Sequence, residues 1–352
     1  MDHSKYSEIS PQWTQFTQQY PQLVHLDQVG IEERRRIFTQ VESQMAPRRV
    51  PDDVAQASLT VRSLTVTARD GYEIGVRTYS PVVITKAAQL PLLVYLHAGG
   101  FLFGNLESGD VNCRILCSRL QMVVVNVGYR LAPEWKFPHG LYDSYDVVKW
   151  AASNAESYLN ASPSAGFLLG GISSGATFAG AISYLARDEG LSPPLTGLWL
   201  SIPVCIMPDA YPALPDHLRG QLKSLDENDD NPLLTRKSLG DIQNMYAAPP
   251  EDPRMSFLLN TDHARLPSRL YLQVCGRDPL RDEALLWDRL LRNHSGAKSK
   301  IDMYQGMPHG FWRFPAMKAS RDWTTDLVQG IAFVLRKDTG GEGGCEFQIK
   351  GV

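Results

Sequence analysis

Short apolar runs recur along the chain from residue 92 onward. Runs of this kind are typical of strands that are buried on both faces of a parallel sheet, and they occupy residues 92–96, 122–127, 167–169, 198–202 and 270–274. Segments with apolar residues at helical spacing lie at residues 111–120, 142–155, 176–189, 282–293 and 322–336. The alternation predicts a doubly wound α/β fold, in which helices flank a mostly parallel central sheet.

The first part of the chain has different patterns. Residues 1–55 are polar and helix-prone, with apolar residues at helical spacing between positions 31 and 45. Residues 59–68 and 72–79 then alternate between apolar and polar positions on either side of Asp70-Gly71. This alternation around a turn predicts an antiparallel hairpin ahead of the parallel strands.

The alternation of strands and helices breaks between Pro203 and Leu266. This segment is rich in proline, aspartate and asparagine, contains one helical pattern at residues 236–246, and is too long for a plain connection. We interpret it as a lid-like insertion over the C-terminal edge of the sheet. A glycine-rich stretch near the end of the chain predicts a flexible tail. The predicted organisation is an N-terminal helical segment (1–55), a core in two parts (56–202 and 267–337), the insertion (203–266) and the tail (338–352).

The composition is that of an ordinary globular protein. The chain has 352 residues, of which 43% are hydrophobic and 21% charged, and its formal net charge is −3. These values disfavour a disordered chain, a collagen-like fibre and a disulfide scaffold. Because the sequence contains no run of lysine or arginine longer than the three residues 34–36, we expect neither a nucleic-acid partner nor an anionic membrane surface.

Cysteine spacing and the terminal residues favour a reduced compartment. The five cysteines form no Cys-x-x-Cys motif, and no histidine pair has the spacing of metal ligands. We interpret the cysteines as small buried residues and expect no metal. The N-terminus lacks the apolar core of a secretory signal, and no apolar run reaches the ~18 residues that span a bilayer. We therefore expect a soluble cytoplasmic protein.

The strongest chemical signal is Gly171-Ile172-Ser173-Ser174-Gly175, which lies between a predicted strand and a predicted helix. A Gly-x-Ser-x-Gly turn in this position raises its serine above the edge of a sheet, and the turn is too tight for side chains at the two glycines. The N-terminus of the following helix favours developing negative charge. This pattern predicts Ser173 as a nucleophile.

A second loop, His97-Ala98-Gly99-Gly100-Phe101, directly follows the buried run at residues 92–96. It is a variant of the His-Gly-Gly-Gly loop that supplies backbone N–H groups to an oxyanion. Backbone donors reach a substrate oxygen only where no side chain intrudes, so glycine is the suitable residue there. We predict an oxyanion hole formed by the N–H groups of Gly99, Gly100 and Ser174.

The acid and the base of such a site should follow Ser173 in that order, each at the end of a strand. Asp278 lies in a turn after the run at residues 270–274, and His309 follows a predicted strand at residues 301–304. In this scheme His309 accepts the proton of Ser173. Asp278 fixes the tautomer of the imidazole and stabilises its protonated form.

Other residues remain alternatives for these two roles. Asp282 and Glu283 are close to Asp278 in sequence, but both also fit the first turn of a helix, where acidic residues are favourable. His294 is a second candidate for the base, and it also fits the C-terminal end of a helix.

Five motifs in this order resemble the hormone-sensitive-lipase-like branch of the α/β-hydrolases. They occupy residues 97–101, 129–134, 171–175, 278–283 and 309–311. The resemblance implies the α/β-hydrolase fold, a helical cap formed by the N-terminal helices and the insertion, and a Ser-His-Asp carboxylesterase that needs no cofactor. It also implies supporting rather than chemical roles for His97, Tyr129 and Asp143.

Two motifs depart from the pattern of that family. The family usually has glycine at the position of Ala98, and its elbow usually has aspartate and alanine where this sequence has Ile172 and Ser174. Loss of the carboxylate at position 172 is expected to change the polarity of the pocket and the preference for the acyl group. Neither departure removes a catalytic side chain.

These observations predict a serine carboxylester hydrolase that acts on small-molecule esters or on short and medium acyl groups. An acyltransferase or a thioesterase would share the same acyl-enzyme and remains an alternative. A non-catalytic ligand receptor is a third possibility. Plant hormone receptors of the family lack the histidine of the triad, whereas His309 is present here. The oligomeric state is left open.

Overall fold

A nine-stranded sheet forms the centre of the protein. The structure is a computed structural model that describes residues 2–20, 30–82, 89–336 and 344–351. The strands are β1 (Leu59–Thr67), β2 (Glu73–Pro81), β3 (Leu92–Leu96), β4 (Val123–Gly128), β5 (Phe167–Ile172), β6 (Gly197–Ser201), β7 (Arg269–Arg277), β8 (Lys298–Pro308) and β9 (Cys345–Lys350). Their order across the sheet is β1-β2-β4-β3-β5-β6-β7-β8-β9.

Strand β2 pairs in antiparallel orientation with β1 and β4, and the remaining neighbours in the sheet are parallel. Helices lie before, between and after the strands. They are α1 (Pro11–Gln19), α2 (Ile31–Arg49), α3 (Asp52–Ala55), α4 (Leu106–Leu120), α5 (His139–Asn154), α6 (Ser174–Asp188), α7 (Asp216–Arg219), α8 (Ser224–Glu227), α9 (Arg236–Tyr246), α10 (Arg281–Ser295) and α11 (Lys318–Leu335).

Alternate residues of the central strands belong to two separate hydrophobic cores. In β3, Leu92, Val94 and Leu96 face the core that includes α5, α6 and α10. Leu93 and Tyr95 face the core that includes α4 and α11. Because both faces are covered, each position of this strand is apolar, which explains the continuous run in the sequence. The predicted α/β fold, its mostly parallel sheet and the preceding hairpin are confirmed.

The predicted flexible tail at residues 338–352 is wrong for Cys345–Lys350, which forms β9 beside β8. Apolar residues alternate with polar ones in this segment, which is the period of a strand. The glycines that precede it obscured this short signal. Residues 338–343 and 352 of the predicted tail lie outside the described residues, as do residue 337 of the predicted core and residues 1 and 21–29 of the predicted N-terminal segment.

The cysteines are all free. Burial, as predicted, is confirmed for Cys113, Cys117, Cys205 and Cys275, whereas Cys345 is exposed on β9. Among the helices of the described ranges, none combines the length and the apolar character needed to cross a lipid bilayer.

Close packing between α11 and β7 leads to a prediction about stability. A Cβ atom at Gly330 would lie 2.1 Å from the ring of Tyr271. That ring cannot move aside freely, because its hydroxyl is held by the carboxylate of Asp302 at 2.7 Å and by the carbonyl of Asp326 at 3.0 Å. We expect Gly330→Ala to lower the free energy of unfolding by about 1–3 kcal/mol in urea denaturation.

Gly240→Ala is the matched control for this prediction. Gly240 lies in α9, and no neighbouring heavy atom is within 4 Å of its Cβ position. Alanine is the better helix former, so this variant should be more stable by about 0.5–1 kcal/mol. A Gly330→Ala variant as stable as the wild type would contradict the packing described here.

Candidate active site

Ser173 lies in a tight turn between the end of β5 and the start of α6. Its backbone has φ +53° and ψ −119°, and its N–H donates to the carbonyl of Ser201 at 2.8 Å. A Cβ atom at Gly171 would lie 2.4 Å from the carbonyl oxygen of Leu96, and one at Gly175 would lie 2.1 Å from the same atom. The close approach of these main-chain segments requires both glycines and holds Ser173 at the C-terminal edge of the sheet.

The structure brings the side chains of Ser173, His309 and Asp278 into one hydrogen-bonded row. The Oγ atom of Ser173 is 3.0 Å from Nε2 of His309, and Nδ1 of His309 is 2.8 Å from Oδ2 of Asp278. The other carboxylate oxygen of Asp278 accepts from the N–H of Leu280 at 3.0 Å. The alternative base, His294, is on α10, where its Nδ1 is bonded to a carbonyl of the same helix.

The alternative acids bind the insertion rather than His309. Glu283 accepts hydrogen bonds from the N–H of Cys205 at 2.8 Å and from the hydroxyl of Tyr211 at 3.2 Å. Asp282 accepts from the N–H of Ser224 at 2.8 Å. Burial raises the pKa of Glu283 well above its ordinary value, and the charge of nearby Asp278 adds to this effect. Both acids therefore connect α10 to the segment above the site.

Three backbone N–H groups are directed neither into a helix nor into a strand. Gly99 has φ +145° and Gly100 has φ +58°, and a Cβ atom at Gly99 would lie 2.0 Å from the carbonyl oxygen of Phe103. Ser174 opens α6, so its N–H has no partner within the helix. No hydrogen bond joins the N–H of Gly99, Gly100 or Ser174 to another described residue. These donors are available to a ligand.

His97 and Tyr129 support the start of this loop from below. Their rings stack with a centroid distance of 4.2 Å, and the hydroxyl of Tyr129 donates to the carbonyl of His97 at 2.7 Å. Nδ1 of His97 is 2.9 Å from the carbonyl oxygen of Ala98. Burial lowers the pKa of His97 to about 4, which favours the neutral imidazole. Through these contacts the side chain of His97 holds its own loop.

The insertion covers the same loop. Tyr246, at the end of α9, stacks on Phe101 with a centroid distance of 4.4 Å and an interplanar angle of 12°. The Cδ1 atom of Ile242 lies 3.1 Å from the Cβ position of Gly100. Ile172, the residue before Ser173, is 5% exposed and belongs to an apolar cluster that Ala98 borders. Apolar groups therefore surround the candidate nucleophile and the loop.

Asp143 holds the chain that follows β4. Its carboxylate accepts from the backbone N–H of Arg130 at 2.9 Å and from the guanidinium at 2.9 and 2.6 Å. The guanidinium also contacts Asp70 at 2.8 Å and lies over the rings of Tyr72 and Trp135. These hydrogen bonds of Asp143 go to Arg130 and reach neither Ser173 nor His309, and its supporting role stays a prediction.

Sequence analysis did not single out Arg35 of α2, which contacts the residue that follows the loop. Its guanidinium donates to the carbonyl of Leu102 at 2.9 Å and to that of Ala132 at 2.5 Å, and it pairs with Glu134 at 2.7 Å. The hydrogen bond from Arg35 lowers the pKa of Glu134 to about 2. Arg35 occurs in a run of charged residues, and no local signal distinguishes it from its neighbours in the sequence.

Known proteins are similar to this chain over most of its length. A family model described as alpha/beta hydrolase fold matches residues 93–313. An AB hydrolase superfamily protein of Schizosaccharomyces pombe is 32% identical over 94% of this chain and 95% of its own length. Versiconal hemiacetal acetate esterase stcI of Emericella nidulans is 34% identical over 77% of this chain and 92% of its own length. The crystal structure of vibralactone cyclase has a TM-score of 0.86 at 32% identity, covering 94% of this chain and 96% of that one.

The buried ion pair between Arg130 and Asp143 leads to a second prediction. The side chain of Arg130 is 4% exposed, so Asp143→Ala would leave a buried guanidinium without its main partner. We expect this variant to lower the free energy of unfolding by about 3–5 kcal/mol in urea denaturation.

Asp70→Ala removes only the exposed partner of the same guanidinium, since the side chain of Asp70 is 41% exposed. A loss of about 0–1 kcal/mol is expected for this control. An equal decrease in the free energy of unfolding for the two variants would contradict the larger contribution expected from the buried carboxylate of Asp143.

Proposed function

The chain belongs to the α/β-hydrolase family, in its hormone-sensitive-lipase-like carboxylesterase branch, and on this premise we propose that it hydrolyses small-molecule carboxylic esters through an acyl-enzyme on Ser173. The observation that carries this proposal is the row formed by Ser173, His309 and Asp278, with contacts of 3.0 and 2.8 Å. A hydroxyl, an imidazole and a carboxylate in this arrangement form a proton-transfer chain for nucleophilic acyl substitution.

Acylation begins when Oγ of Ser173 attacks the carbonyl carbon of the ester. Nε2 of His309 takes the hydroxyl proton, and Asp278 stabilises the resulting imidazolium through Nδ1. The tetrahedral intermediate then collapses, the bond to the alcohol breaks, and His309 returns the proton to the leaving oxygen. Water repeats these steps on the acyl-enzyme, which releases the carboxylic acid and restores Ser173.

The oxyanion of each tetrahedral intermediate is assigned to the N–H groups of Gly99, Gly100 and Ser174. Support for this role comes from their lack of described partners and from the position of Ser174 at the first turn of α6, where the helix dipole favours negative charge. Removing one such donor typically lowers turnover by about 10²–10³-fold. The packing of His97, Tyr129 and Arg35 behind the loop supports its conformation.

A short or medium acyl group on a small organic alcohol is the proposed substrate class. The surroundings of Ser173 are apolar, with Ile172, Ala98 and Ile242 beside the elbow and the loop. The fungal relative named as an acetate esterase supports a short acyl group. Isoleucine at the elbow position that carries aspartate in the family removes a charge from this environment.

Acyl transfer to an acceptor other than water is a second candidate function, because the chemistry up to the acyl-enzyme does not depend on water. The structural relative named as a cyclase supports an acceptor within the substrate itself. With a hydroxyl or an amine as the acceptor, the same acyl-enzyme would give acyl transfer. With a thioester as the acyl donor, it would give thioester hydrolysis. A non-catalytic receptor is the least supported of the candidate functions, since His309 is present and in contact with Ser173.

The proposal is tested with the purified full chain on p-nitrophenyl acetate and butyrate and with a fluorophosphonate probe. We expect hydrolysis of both esters and covalent labelling of the wild type. Ser173→Ala should abolish labelling and reduce kcat/KM by at least about 10⁴-fold. Ser164→Ala, the same replacement at an exposed serine, should change neither result.

The competing acceptors are distinguished in the same assay. Adding alcohols or amines would give ester or amide products at the expense of the free acid if transfer competes with hydrolysis. A wild-type protein that is folded but neither labelled nor active on these esters would contradict the acyl-enzyme.

A further inference from the structure

Three consecutive carbonyl groups in the turn that carries Asp278 accept hydrogen bonds from side chains of the insertion. They belong to residues 277–279, here called the acid turn, and their donors are the side chains of Asn231, Asn228 and Ser224, in that order. The amide nitrogen of Asn228 is 3.2 Å from the carbonyl oxygen of Asp278, and the hydroxyl of Ser224 is 2.7 Å from that of the next residue. The insertion therefore holds the main chain at the proposed triad acid and on both sides of it.

The three donor side chains lie in the interior of the protein. Ser224, Asn228 and Asn231 are 2%, 0% and 1% exposed. A buried carbonyl group that loses its donor is destabilised, because it has already given up its hydrogen bonds to water on folding. The conformation of the acid turn therefore depends on side chains of the insertion.

Stability alone explains Asn228 poorly. Its Oδ1 atom is buried and has no hydrogen-bond partner among the described residues, which is unfavourable. The carbonyl of Asp278 also accepts from the N–H of Arg281 at 3.1 Å, so this oxygen has a donor without Asn228. Replacing Asn228 by alanine would remove one hydrogen bond and one unsatisfied oxygen together, so we expect a small net effect on stability.

The hydrogen bond from Asn228 fixes the residue whose carboxylate contacts His309. Oδ2 of Asp278 is 2.8 Å from Nδ1 of His309, and Oδ1 accepts from the N–H of Leu280 at 3.0 Å. Both contacts depend on the orientation of the main chain at residue 278, since only Cβ separates the carboxyl group from Cα. A displacement of about 1 Å at a catalytic site can lower the rate by about 10²-fold.

The same part of the insertion continues to the loop of the proposed oxyanion hole. Oδ1 of Asn231 accepts from the N–H of Leu233 at 2.9 Å, and α9 follows shortly after in the chain. At the end of α9, Tyr246 stacks on Phe101. One segment, residues 224–246, therefore contacts both the acid turn and the loop that carries the backbone donors.

We propose that Asn228 is a positioning residue for Asp278. It acts through the main chain of Asp278 and keeps the carboxylate in line with His309. Ser224 and Asn231 assist by holding the carbonyl groups on either side. This inference rests on the proposed function, because it assigns a role within the proton path of the proposed triad. The insertion then does more than cover the site, since its contact with the acid turn aligns the acid.

Removal of the side-chain amide tests this role. The full chain and its Asn228→Ala variant are compared on p-nitrophenyl acetate, and urea unfolding reports the stability of each. We expect kcat/KM to fall by about 10–100-fold, because the carboxylate of Asp278 loses its alignment, while the urea midpoint stays close to that of the wild type. Ser224→Ala removes the donor to the carbonyl of Pro279 and should lower kcat/KM as well.

Asn260→Ala is the matched control. Asn260 lies in the same insertion, and its amide donates to the carbonyl of Phe257 at 2.9 Å. The variant therefore removes the same kind of hydrogen bond at a different place in the insertion, and it should leave kcat/KM unchanged. A decrease as large as that of Asn228→Ala would mean that any loosening of the insertion has this effect.

A double-mutant cycle separates positioning from a general structural effect. Asp278→Ala should lower kcat/KM by about 10⁴-fold and leave a residual activity above that of water. In this background Asn228→Ala should cause no further decrease, because its effect passes through the missing carboxylate. A merely structural contribution would lower kcat/KM by the same factor in both backgrounds.

Three results would overturn this proposal and leave the proposed hydrolysis intact. They are folded Asn228→Ala and Ser224→Ala variants that are as active as the wild type, an equal decrease in Asn260→Ala, and an effect of Asn228→Ala that persists without the carboxylate of Asp278. A folded wild type that neither hydrolyses the ester nor reacts with the fluorophosphonate is a different result. It would contradict the acyl-enzyme, and the role of Asn228 with it.

Discussion

The carbonyl oxygen of Leu96 is the point on which the arrangement of the candidate site depends. Cβ atoms at Gly171 and Gly175 would lie only 2.4 and 2.1 Å from it, so no side chain fits at either position. This contact sets the end of β3, where the loop at residues 97–101 begins, directly against the turn that carries Ser173. The distance between the hydroxyl and the nearby backbone donors is therefore determined by main-chain atoms. Side-chain packing around the loop can refine this distance but does not create it.

Local patterns predicted most of the fold and the three central side chains for a common reason. A strand buried on both faces is apolar throughout, as β3 is, and parallel strands direct their C-terminal ends to one edge. Ser173, Asp278 and His309 each directly follow a strand of the parallel part of the sheet, so their positions and order in the chain were enough to propose them. The choice between Asp278 and its neighbours Asp282 and Glu283 needed more, because it depends on the direction of each carboxyl group after the turn.

Contacts between distant segments could not be predicted in this way. Arg35 binds Glu134 and two carbonyls near the loop, yet its surroundings in the sequence are those of a solvent-exposed helix face. β9 was missed because six alternating residues carry little signal beside a glycine-rich stretch. Both segments are positioned by contacts with distant parts of the chain. Helix α2 packs against α4 and binds residues near the loop, and β9 pairs with β8. Such information is not contained in local periodicity.

Asp282 and Glu283, the two alternative acids, bind the insertion, whereas Asp278 contacts His309. Glu283 lies close to Asp278, and burial raises its pKa well above its ordinary value, with the charge of Asp278 as a further cause. Its neutral form is thereby favoured, so two adjacent buried carboxylates need not both be charged. Glu283 then holds Cys205 and Tyr211 of the insertion, while the carboxylate of Asp278 contacts His309. Residues 278–283 therefore supply both the acid of the proposed triad and the carboxyl groups that hold the insertion.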